Sequence, residues 1–470
     1  MRQLAVVVLA AGEGTRMKSS VPKVLHEIAG LPMIGHVLAT AHSLSANKVI
    51  AVLRHDREKI QGYIAQHFPS TEIAIQDEIA GTGRAVEAAL ELLAKDFDGD
   101  VLVLSGDVPL IDVQSITELI EGHRESAALG TLVSCELANP TGYGRLIRSR
   151  GDLVGIVEQK DATPEQLEIK EINAGVYVFN SKHLQAALSK VTTNNASGEK
   201  YLTDVVSVLI ESGSVQAFQI IDRWLVAGVN DRVQLSEVAS ELNARIVRAW
   251  QLSGVTIDEP ASTWIDVTVQ LGQDVRILPS TRLHGITSIG AGSTIGPDST
   301  LQDCEVGAGA KVTRSVADSV KISDRATVGP FAFLRPGTEL GSDGKIGAFV
   351  ETKNAKIGAG AKVPHLTYVG DAEIGEGANI GAGTIFANYD GVAKHHTKIG
   401  KHARTGSGNV FVAPVSIGDG AYTAAGSTIR RDVEAGSLAM NPVTQKNLAD
   451  WVLQRRPGSE SAKAAREETE

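Results

Sequence analysis

The chain has 470 residues, roughly three times the length of a typical domain, so we expect more than one hydrophobic core. Its 43% of hydrophobic residues is ordinary for a globular protein, and the net charge of −10 argues against a general binder of nucleic acids or membranes. Two cysteines are too few for a disulfide framework or a cysteine-rich zinc site. The apolar run at residues 4–11 is too short to cross a bilayer and no cleavage pattern follows it, so we expect a cytoplasmic protein.

Residues 1–229 alternate strand-like and helix-like segments. The predicted strands are residues 6–9, 49–53, 72–75, 101–104, 129–133 and 176–179. Helix-length stretches such as 84–94 and 113–123 separate several of them. This alternation predicts a Rossmann-like α/β domain with a mostly parallel sheet between helices, and ligands of such domains bind at the carboxyl ends of the strands.

A single amphipathic helix is predicted at residues 230–250. Its apolar residues are three or four positions apart and form one stripe, at Leu235, Val238, Leu242, Ile246 and Ala249. We therefore expect this helix to link the first domain to a second one.

The apolar period changes to six from residue 265 onward. The first run in this phase comprises Ile265, Leu271, Ile277, Leu283, Ile289, Ile295 and Leu301, and a later run starts at Val316. Because period six fits neither a helix nor an ordinary strand, it predicts a left-handed parallel β-helix of hexapeptide repeats over residues 251–456, with the aliphatic residues pointing inward. The segment 457–470 has almost no apolar residues and is predicted to be a disordered tail.

A loop of small residues follows the first predicted strand directly. Residues 9–12, Leu-Ala-Ala-Gly, let backbone N–H groups approach phosphates closely, and Arg16 and Lys23 add two cations that suit a triphosphate. The dinucleotide fingerprint does not fit because Met17 stands where its third glycine belongs, and the Gly-Lys-Ser/Thr of a Walker loop is missing. Taken alone, the loop fits either a phosphate cradle or an ordinary turn.

The strand predicted at residues 101–104 runs into Ser105, Gly106 and Asp107. A carboxylate at the ligand-bearing edge of a sheet is a hard oxygen ligand for Mg²⁺ held jointly with phosphates. The alternative is that Asp107 caps the helix that follows. The small-residue loop at residues 9–12 favours the magnesium site.

These motifs together resemble one family over residues 4–455. The sequence combines Leu-Ala-Ala-Gly-x-Gly-Thr-Arg-Met at 9–17 with Lys23, Gly-Thr-Gly at 81–83, Gly-Asp-Val-Pro-Leu at 106–110 and a hexapeptide solenoid. It is similar to the bacterial bifunctional family of N-acetylglucosamine-1-phosphate uridyltransferases/glucosamine-1-phosphate N-acetyltransferases. The resemblance implies acetylation of glucosamine 1-phosphate by acetyl-CoA, and then reaction with UTP to give UDP-N-acetylglucosamine and pyrophosphate. It also implies Mg²⁺, a homotrimer, and the supply of peptidoglycan and lipopolysaccharide precursors.

For the first domain, the resemblance implies a site for UTP and UDP-N-acetylglucosamine. The nucleotide and its phosphates would contact Leu9, Ala10, Ala11, Gly12, Arg16, Lys23 and Gly106, and the uracil edge would contact Gln76, Gly81 and Thr82. The sugar would contact Gly142, Glu158 and Asn173, and Mg²⁺ would be held by Asp107 and Asn230. Ser105 also belongs to this site but departs from the family, in which the position is often aromatic. No protein nucleophile is needed, because the sugar phosphate can attack the α-phosphorus in line, so the protein positions the reactants and neutralises charge.

His365 is the candidate general base of the second domain. It lies in residues 362–370, Lys-Val-Pro-His-Leu-Thr-Tyr-Val-Gly, just past a predicted solenoid strand. The acceptor amine is protonated near neutral pH, so acetyl transfer needs a base, and a neutral imidazole can take that proton. His395, His396 and His402 are interpreted as surface or structural residues.

The resemblance also implies the partners of His365. The sugar phosphate and acceptor sugar would contact Arg335, Lys353, Tyr368, Asn379 and Lys394, and acetyl-CoA would contact Ala382, Asn388, Tyr389, Ser407 and Ala425. The loop at residues 388–391 would also help to orient the sugar, and the acyl site is shared between neighbouring prisms of a trimer. Where relatives often carry an arginine for coenzyme A, this chain has Met440, so that contact is lost or passes to Arg430, Arg431 or Lys446.

A one-activity sugar-nucleotide pyrophosphorylase with a regulatory β-helix is the alternative function. His365 and the loop at residues 388–391 argue against it, because a purely regulatory solenoid needs neither. A zinc site on the solenoid is a weaker alternative, since zinc needs three convergent ligands and the candidate histidines are irregularly spaced, at His365, His395, His396 and His402.

Overall fold

The computed structural model describes residues 2–441 and 444–468 of the chain, which divides into two compact units, residues 1–288 and 289–470. The strands before residue 250 are β1 (Leu4–Ala10), β2 (Glu27–Ile28), β3 (Leu31–Pro32), β4 (Lys48–Leu53), β5 (Glu72–Ile75), β6 (Asp100–Ser105), β7 (Gly130–Glu136), β8 (Arg145–Ser149), β9 (Asp152–Val157), β10 (Glu171–Asn180) and β11 (Val215–Gln219). The helices of the first unit are α1 (Met33–Ser43), α2 (Arg57–His67), α3 (Thr82–Leu90), α4 (Val113–Ser126), α5 (Pro164–Leu167), α6 (Ser181–Leu188), α7 (Thr203–Ile210) and α8 (Arg232–Leu252). Every strand predicted within residues 1–229 is present, although β10 starts well before its predicted start at residue 176.

The main sheet of the first unit has the strand order β11-β7-β10-β6-β1-β4-β5. β1 pairs in parallel with β4 and β6, β4 with β5, and β11 with β7. β10 is antiparallel to β6 and β7, and it also pairs with β8, which pairs with β9. The expectation of a mostly parallel sheet is confirmed, and β10 is the exception along the main strand order.

Both faces of this sheet are covered by helices. Val6 and Val8 of β1 pack with apolar side chains of α1, α2 and α4, while Ala5 and Val7 pack with those of α3, α6 and α7. Because successive residues of a strand point to opposite faces, burial on both faces makes β1 an unbroken apolar run. The carboxyl ends of the parallel strands form the edge at which such sheets bind their ligands.

α8 corresponds to the predicted linker helix and begins at Arg232. The Asp231 carboxylate accepts the N–H groups of Val233 and Gln234, both at 2.9 Å, and so fixes the first turn. The predicted apolar stripe is only partly covered in this chain: Val238 is buried, whereas the last residue of the stripe is exposed.

The buried Asn243 fastens α8 to the first hexapeptide strands. Its amide nitrogen donates to the Thr263 carbonyl oxygen at 2.7 Å, and its amide oxygen accepts the Ile265 N–H at 3.0 Å. Nearby, the Val267 N–H donates to the Ala29 carbonyl oxygen at 3.0 Å. These contacts lie within the first compact unit, which runs to residue 288 and so includes α8 and the first hexapeptide strands.

The hexapeptide region consists of short strands. They are β12 (Thr256–Ile257), β13 (Trp264–Ile265), β14 (Gln270–Leu271), β15 (Arg276–Ile277), β16 (Arg282–His284), β17 (Ser288–Ile289), β18 (Thr294–Ile295), β19 (Thr300–Gln302), β20 (Glu305–Val306), β21 (Lys311–Val312), β22 (Val316–Asp318), β23 (Lys321–Ile322), β24 (Thr327–Val328), β25 (Phe333–Leu334), β26 (Glu339–Leu340), β27 (Lys345–Ala348), β28 (Glu351–Ile357), β29 (Lys362–His365), β30 (Tyr368–Ile374), β31 (Ile385–Ala387), β32 (Thr397–Ile399), β33 (Val410–Val412), β34 (Val415–Ile417), β35 (Tyr422–Thr423), β36 (Thr428–Ile429) and β37 (Leu438–Ala439). Two helices follow them, α9 (Trp451–Arg455) and α10 (Glu460–Glu467).

The strands of the second unit pair in parallel with the third strand along the chain. β18 pairs with β21 and β21 with β24, while β19 pairs with β22 and β22 with β25. Thr327 is opposite Lys345, 18 residues further along the chain, so this coil holds three hexads. This is the parallel β-helix that the period of six predicts.

Most of the predicted hexad residues fill the interior of the β-helix, but Leu271 is only partly buried and Val316 faces outward. Ile295 and Leu334 are fully buried, but the Val316 side chain is 45% exposed and the neighbouring Ala317 is buried in its place. The prediction for Val316 is wrong, because the repeat that follows Val312 places the next inward residue one position later.

The segment 457–470 was expected to be a disordered tail, but its described part contains the helix α10. Residues 469 and 470 lie outside the described residues. The Ser459 hydroxyl accepts the Ala462 N–H at 3.2 Å, and Lys463 pairs with Glu460 at 2.7 Å. Alanine, glutamate, lysine and arginine favour helix even where hydrophobicity is low. Among the described residues no helix is both long and apolar enough to cross a membrane.

Candidate active sites

Two clefts that share part of their lining lie at the carboxyl edge of the first unit's sheet, with volumes of about 410 and 210 Å³. Both are lined by Leu9, Thr82, Ser105 and Asp107. The larger cleft is further lined by the predicted residues Ala11, Gly12, Gln76 and Gly81, and the smaller by Gly142, Glu158, Asn173 and Asn230. The residues predicted for the base and for the sugar therefore occupy separate but adjoining clefts.

Two other predicted residues support the cleft wall in this structure. Ala10 is buried at the end of β1, and the Gly106 N–H donates to the Leu9 carbonyl oxygen at 2.8 Å. A Cβ atom at position 106 would lie 3.1 Å from that oxygen, which is a tight contact. Glycine therefore lets the turn after β6 approach β1 closely.

Lys23, Asp107 and Asn230 converge although they are far apart in the sequence. The Lys23 ammonium pairs with the Asp107 carboxylate and donates to the Asn230 amide oxygen at 3.1 Å. Arg16 donates to the same amide oxygen at 2.8 Å. One carboxylate, one amide oxygen and two cations thus meet beside the clefts.

The loop at residues 79–82 forms one side of the larger cleft and is held from two directions. The buried Gln76 donates through its amide nitrogen to the Ile79 and Gly81 carbonyl oxygens, at 2.8 and 3.1 Å. Gly81 has a φ of +116°, and a Cβ there would collide with the backbone of Lys200. Because the Gln76 amide nitrogen is engaged by the loop, its carbonyl oxygen is the group left for a base.

The smaller cleft contains a carboxylate that is poorly solvated. Burial raises the pKa of Glu158, although the Thr203 hydroxyl donates to it at 3.1 Å and partly offsets that effect. Asn173 donates to the Tyr177 hydroxyl at 2.6 Å and accepts the Gly175 N–H at 3.3 Å. These contacts fix both predicted sugar-binding side chains before a ligand arrives.

Gly142 is linked to its surroundings by two residues that sequence reasoning missed. The Gly142 N–H donates to Gln159 Oε1 at 2.7 Å, and the buried Arg145 donates to the same oxygen at 3.1 Å. Gln159 follows Glu158 directly in the sequence, which could have identified it as a neighbour of the site. Thr203, the partner of Glu158, was also missed, and no sequence signal connects the two residues.

In the second unit, the predicted acceptor-site residues lie on neighbouring coils of the β-helix. Lys353 is opposite Gly370, and Tyr368 is opposite Glu351, in the paired strands β28 and β30. Arg335, which follows β25, donates to the Glu351 carboxylate at 3.0 Å. The register therefore places Arg335, Lys353 and Tyr368 on three successive coils of one face.

Lys353 and Lys394 form a like-charged pair at this site. The neighbouring Lys394 ammonium, and to a smaller extent Arg335, lower the pKa of Lys353, while Asp371 partly offsets them. Positive charge thus exceeds negative charge around Lys353. A bound phosphate group would relieve this repulsion, which suits the binding of a sugar phosphate.

His365 ends β29 at an exposed position of the solenoid. Its backbone carbonyl oxygen accepts the Gly383 N–H at 3.1 Å and the Thr367 hydroxyl at 2.7 Å, and these bonds fix the local backbone. The next residue, Leu366, is 61% exposed. The imidazole therefore stands on a rigid coil within reach of a ligand.

Ala382, Ser407 and Ala425 lie above one another on successive coils. The Gly408 N–H donates to the Ala382 carbonyl oxygen at 2.7 Å, and the Gly426 N–H donates to the Ser407 carbonyl oxygen at 2.8 Å. Small side chains thus follow one another along the axis of the solenoid. This is the surface that the resemblance implies for the pantetheine of acetyl-CoA.

The predicted loop after β31 is a hairpin in which Tyr389 pairs with Lys394. The Asp390 carboxylate accepts the Ala393 N–H at 2.7 Å and pairs with the His395 ring at 2.7 Å. These contacts hold the pKa of Asp390 well below its usual range. His395 therefore stabilises the hairpin.

The remaining predicted residues of the second unit lie on or near its surface. Asn379 forms backbone bridges to Lys362 and Arg404, on the coils before and after its own. The residues considered for coenzyme A are exposed: Arg430, Arg431, Met440 and Lys446. Within residues 2–441 and 444–468, no three His, Cys, Asp or Glu side chains converge to hold a metal ion, so the alternative zinc site has no assembled ligands there.

Known proteins resemble this chain over nearly its whole length. The Nucleotidyl transferase family model matches residues 5–267, and the Bacterial transferase hexapeptide (six repeats) model matches residues 396–431. Bifunctional protein GlmU of Leifsonia xyli subsp. xyli (strain CTCB07) is 57% identical over 466 residues, which are 99% of this chain and 96% of that protein. The chain belongs to the GlmU family.

Two further GlmU proteins support this assignment. The protein of Clavibacter sepedonicus is 55% identical over 98% of this chain and 94% of its own length, and that of Mycobacterium tuberculosis (strain ATCC 25177 / H37Ra) is 52% identical over 99% and 95%. As a GlmU-family member, the chain is a bifunctional transferase of UDP-N-acetylglucosamine synthesis, with a uridyltransferase and a glucosamine-1-phosphate acetyltransferase activity. It accordingly uses nucleotide, sugar-phosphate and acetyl-CoA substrates, and the one-activity alternative is not supported.

Proposed function

We propose that uridyl transfer takes place in the two connected clefts of the first unit and that acetyl transfer takes place at His365 of the second. The first assignment rests on the convergence of Lys23, Asp107 and Asn230 beside both clefts. UTP would occupy the larger cleft, with its base against the loop at residues 79–82, and N-acetylglucosamine 1-phosphate would occupy the smaller one. The reacting phosphates would then meet at the wall that the clefts share.

We propose Asp107 and Asn230 as the protein ligands of Mg²⁺. Their oxygens already share one cation, the Lys23 ammonium, and carboxylate and amide oxygens are the hard donors that Mg²⁺ prefers. Two protein oxygens leave the other positions of the metal to phosphate oxygens and water. When bound, Mg²⁺ would supply positive charge to the phosphates.

The residues of the chain would act on uridyl transfer by positioning and by neutralising charge. A phosphate oxygen of N-acetylglucosamine 1-phosphate attacks the α-phosphorus of UTP, and the bond to the leaving pyrophosphate breaks. Arg16 and Lys23 would stabilise the charge on the phosphates, and Gln76 would help to orient the base. Glu158 and Asn173 would hold the sugar in line for attack.

For acetyl transfer, we propose that His365 acts as general base. The amine of glucosamine 1-phosphate attacks the thioester carbon of acetyl-CoA, the C–S bond breaks, and His365 takes the amine proton, which can pass to the departing thiolate. Arg335, Lys353 and Lys394 would bind the phosphate of the acceptor. The column of small residues at positions 382, 407 and 425 would hold pantetheine.

We propose that the chain forms a homotrimer through a face next to His365. Phe331, Phe349 and Leu366 are 53%, 59% and 61% exposed, and the two phenylalanine rings stack with centroids 5.3 Å apart. Contiguous exposed apolar side chains favour burial against another protein surface. Size-exclusion chromatography with light scattering tests this proposal, and a monomer at micromolar concentration would contradict it.

We place the protein in the cytoplasm, where its substrates UTP and acetyl-CoA are available. Cys135 and Cys304 are buried thiols far apart in the sequence, which is compatible with a reducing compartment. Burial raises the pKa of the Cys304 thiol to about 11, so it stays protonated and unreactive near neutral pH.

One coupled experiment tests both halves of the proposal. Purified protein receives glucosamine 1-phosphate, acetyl-CoA, UTP and Mg²⁺, and thiol, pyrophosphate and UDP-N-acetylglucosamine are measured. Leaving out acetyl-CoA should stop all three products, whereas a metal chelator should stop pyrophosphate release and leave thiol release intact. Pyrophosphate release that persists in the chelator would contradict the proposed role of Asp107 and Asn230.

A further inference from the structure

Asp371 stands between two asparagines on successive coils of the acetyl-transfer site. The Asn354 amide nitrogen donates to one carboxylate oxygen at 2.8 Å, and the Asn388 amide nitrogen donates to the other at 2.5 Å. Each asparagine is 17 residues from Asp371, which is one coil of the solenoid. Asn388 is only 8% exposed, so the orientation of its amide depends on the partners that surround it.

The carboxylate determines which end of the Asn388 amide faces Asp371. An ionised carboxylate only accepts hydrogen bonds, so it must face the NH₂ group and not the carbonyl oxygen. Although burial opposes ionisation, the amides of Asn354 and Asn388 and the nearby Lys394 and Lys353 lower the pKa of Asp371. A neutral amide at position 371 could face either end of Asn388, and this constraint would be lost.

We propose that Asp371 is a positioning residue for acetyl transfer, which holds Asn388 with its carbonyl oxygen available to the acceptor amine. This inference rests on the proposed acetyl-transfer site. The coil that carries Asn388 is the one next to His365, since the Gly383 N–H donates to the His365 carbonyl oxygen at 3.1 Å. An amine that has given one proton to His365 keeps N–H bonds, and an acceptor for one of them directs its lone pair at the thioester carbon.

The charge of Asp371 gives this proposal a distinctive kinetic signature. Lys353 and Lys394 both interact electrostatically with the Asp371 carboxylate. A neutral residue at position 371 leaves the two lysines with less negative charge beside them, so a phosphate group should bind at least as well as before. A general loss of structure would have the opposite effect, because it would weaken binding of the sugar phosphate.

The test compares D371N with the full-length wild-type protein by thiol release at saturating acetyl-CoA. We expect kcat to fall roughly 10- to 100-fold, as for a misplaced reacting group, with the KM for glucosamine 1-phosphate unchanged or lower. The matched control is D343N, because Asp343 also has a positive φ of +58° and pairs with the Arg325 side chain at 2.7 Å. The control should keep kcat within about twofold of wild type, and uridyl transfer should be equal in all three proteins.

A double-mutant cycle shows whether Asp371 acts through Asn388. On the N388A background, D371N should change kcat by less than about twofold, because there is no amide left to orient. A D371N enzyme with near-normal kcat, a KM that rises while kcat is kept, or additive effects in the cycle would each overturn the inference. If D371N lowers uridyl transfer or the melting temperature, D371S replaces it in the same measurements.

The outcome also separates this inference from the site on which it rests. Acetylation that does not depend on His365 would overturn the proposed site. Acetylation that depends on His365 but not on Asp371 would overturn only the positioning role.

Discussion

The two candidate sites of this chain are assembled in different ways. In the first unit, Lys23 meets Asp107 and Asn230, which are 84 and 207 residues further along the chain. In the second unit, Asn354, Asp371 and Asn388 meet at regular intervals of 17 residues. The first site is made by strand order, and the second is made by the repeat itself.

This difference determines how far the structural effect of a mutation spreads from its own position. In the first unit, the site residues lie on different strands, turns and helices, and they are tied together by side chains such as Lys23. In the solenoid, each coil is held to the next by backbone hydrogen bonds, so a side chain can be removed while its backbone stays in place. We therefore expect losses in the first site to spread among its neighbours and losses in the second to stay local.

The largest effect is expected for D107A. It removes the only carboxylate of the proposed metal pair and the only carboxylate that pairs with the Lys23 ammonium in the described structure. Pyrophosphate release should therefore fall roughly 10³- to 10⁵-fold, the span seen when a charge-stabilising group is lost in phosphoryl transfer. Acetyl transfer should be nearly intact. The matched control is D152A, which changes an exposed aspartate at the start of β9. Substantial Mg²⁺-dependent pyrophosphate release by D107A would show that Asp107 is not a metal ligand.

The next largest effect is expected for H365A. Acetyl transfer should fall roughly 10²- to 10⁴-fold, the range for loss of a positioned acid–base group, while uridyl transfer stays unchanged. Binding of acetyl-CoA should change little, which calorimetry can check. H402A is the control, because His402 is another exposed solenoid histidine. Near-normal acetylation by H365A at pH 7 would assign the proton transfer to another group or to solvent.

A smaller effect is expected for K394M. The KM for glucosamine 1-phosphate should rise roughly tenfold, because one charge-assisted contact with the phosphate is lost. The pH dependence is a sharper measurement. Because Lys394 lowers the pKa of Lys353, the wild type should lose phosphate affinity at a lower alkaline pH than an ordinary lysine would allow. In K394M the pKa of Lys353 should rise, so that loss should move to higher pH. An unchanged alkaline limb would mean that the two lysines do not interact in solution.

The smallest effect concerns the division of the chain, for which we propose domains at 1–229 and 251–456 joined by a helix at 230–250. A truncated chain that ends at Ala249 should retain uridyl transfer and lose acetyl transfer and the trimer. A chain that ends at Ser288 should behave alike but melt several degrees higher, because it keeps the partners of Asn243. A trimeric fragment, or one that still acetylates, would contradict the division, and equal melting temperatures would show that the Asn243 contacts add no stability.

Most of the fold follows from two periodicities in the sequence. The alternation of strand and helix predicts β1, β4, β5 and β6, and the period of six predicts the interior of the solenoid. Two details do not follow from periodicity. The alternation of strand and helix does not indicate strand direction, and β10 runs antiparallel to β6. Val316 faces outward because a local change in repeat length moves the inward position to Ala317.

The candidate sites were less predictable than the fold, because motifs identify residues but not what those residues contact. Gln76 was expected to meet uracil, yet its amide nitrogen is bound to the loop at residues 79–82. The Gly142 N–H is engaged by Gln159, and Asp371 lies within the solenoid face without any motif of its own. Such contacts depend on side-chain placement across elements, which one sequence does not encode in a readable pattern.

The amide of Asn243 has a consequence for how the solenoid begins. Its nitrogen bonds to the Thr263 carbonyl and its oxygen to the Ile265 N–H, so one side chain imitates a peptide group of a preceding coil. The first coil of a β-helix otherwise presents unpaired backbone groups, and an open strand edge is a template for end-to-end polymerisation. Asn243 thus occupies two backbone groups of β13 that a preceding coil would otherwise pair, so this part of the open edge offers no template to a second molecule.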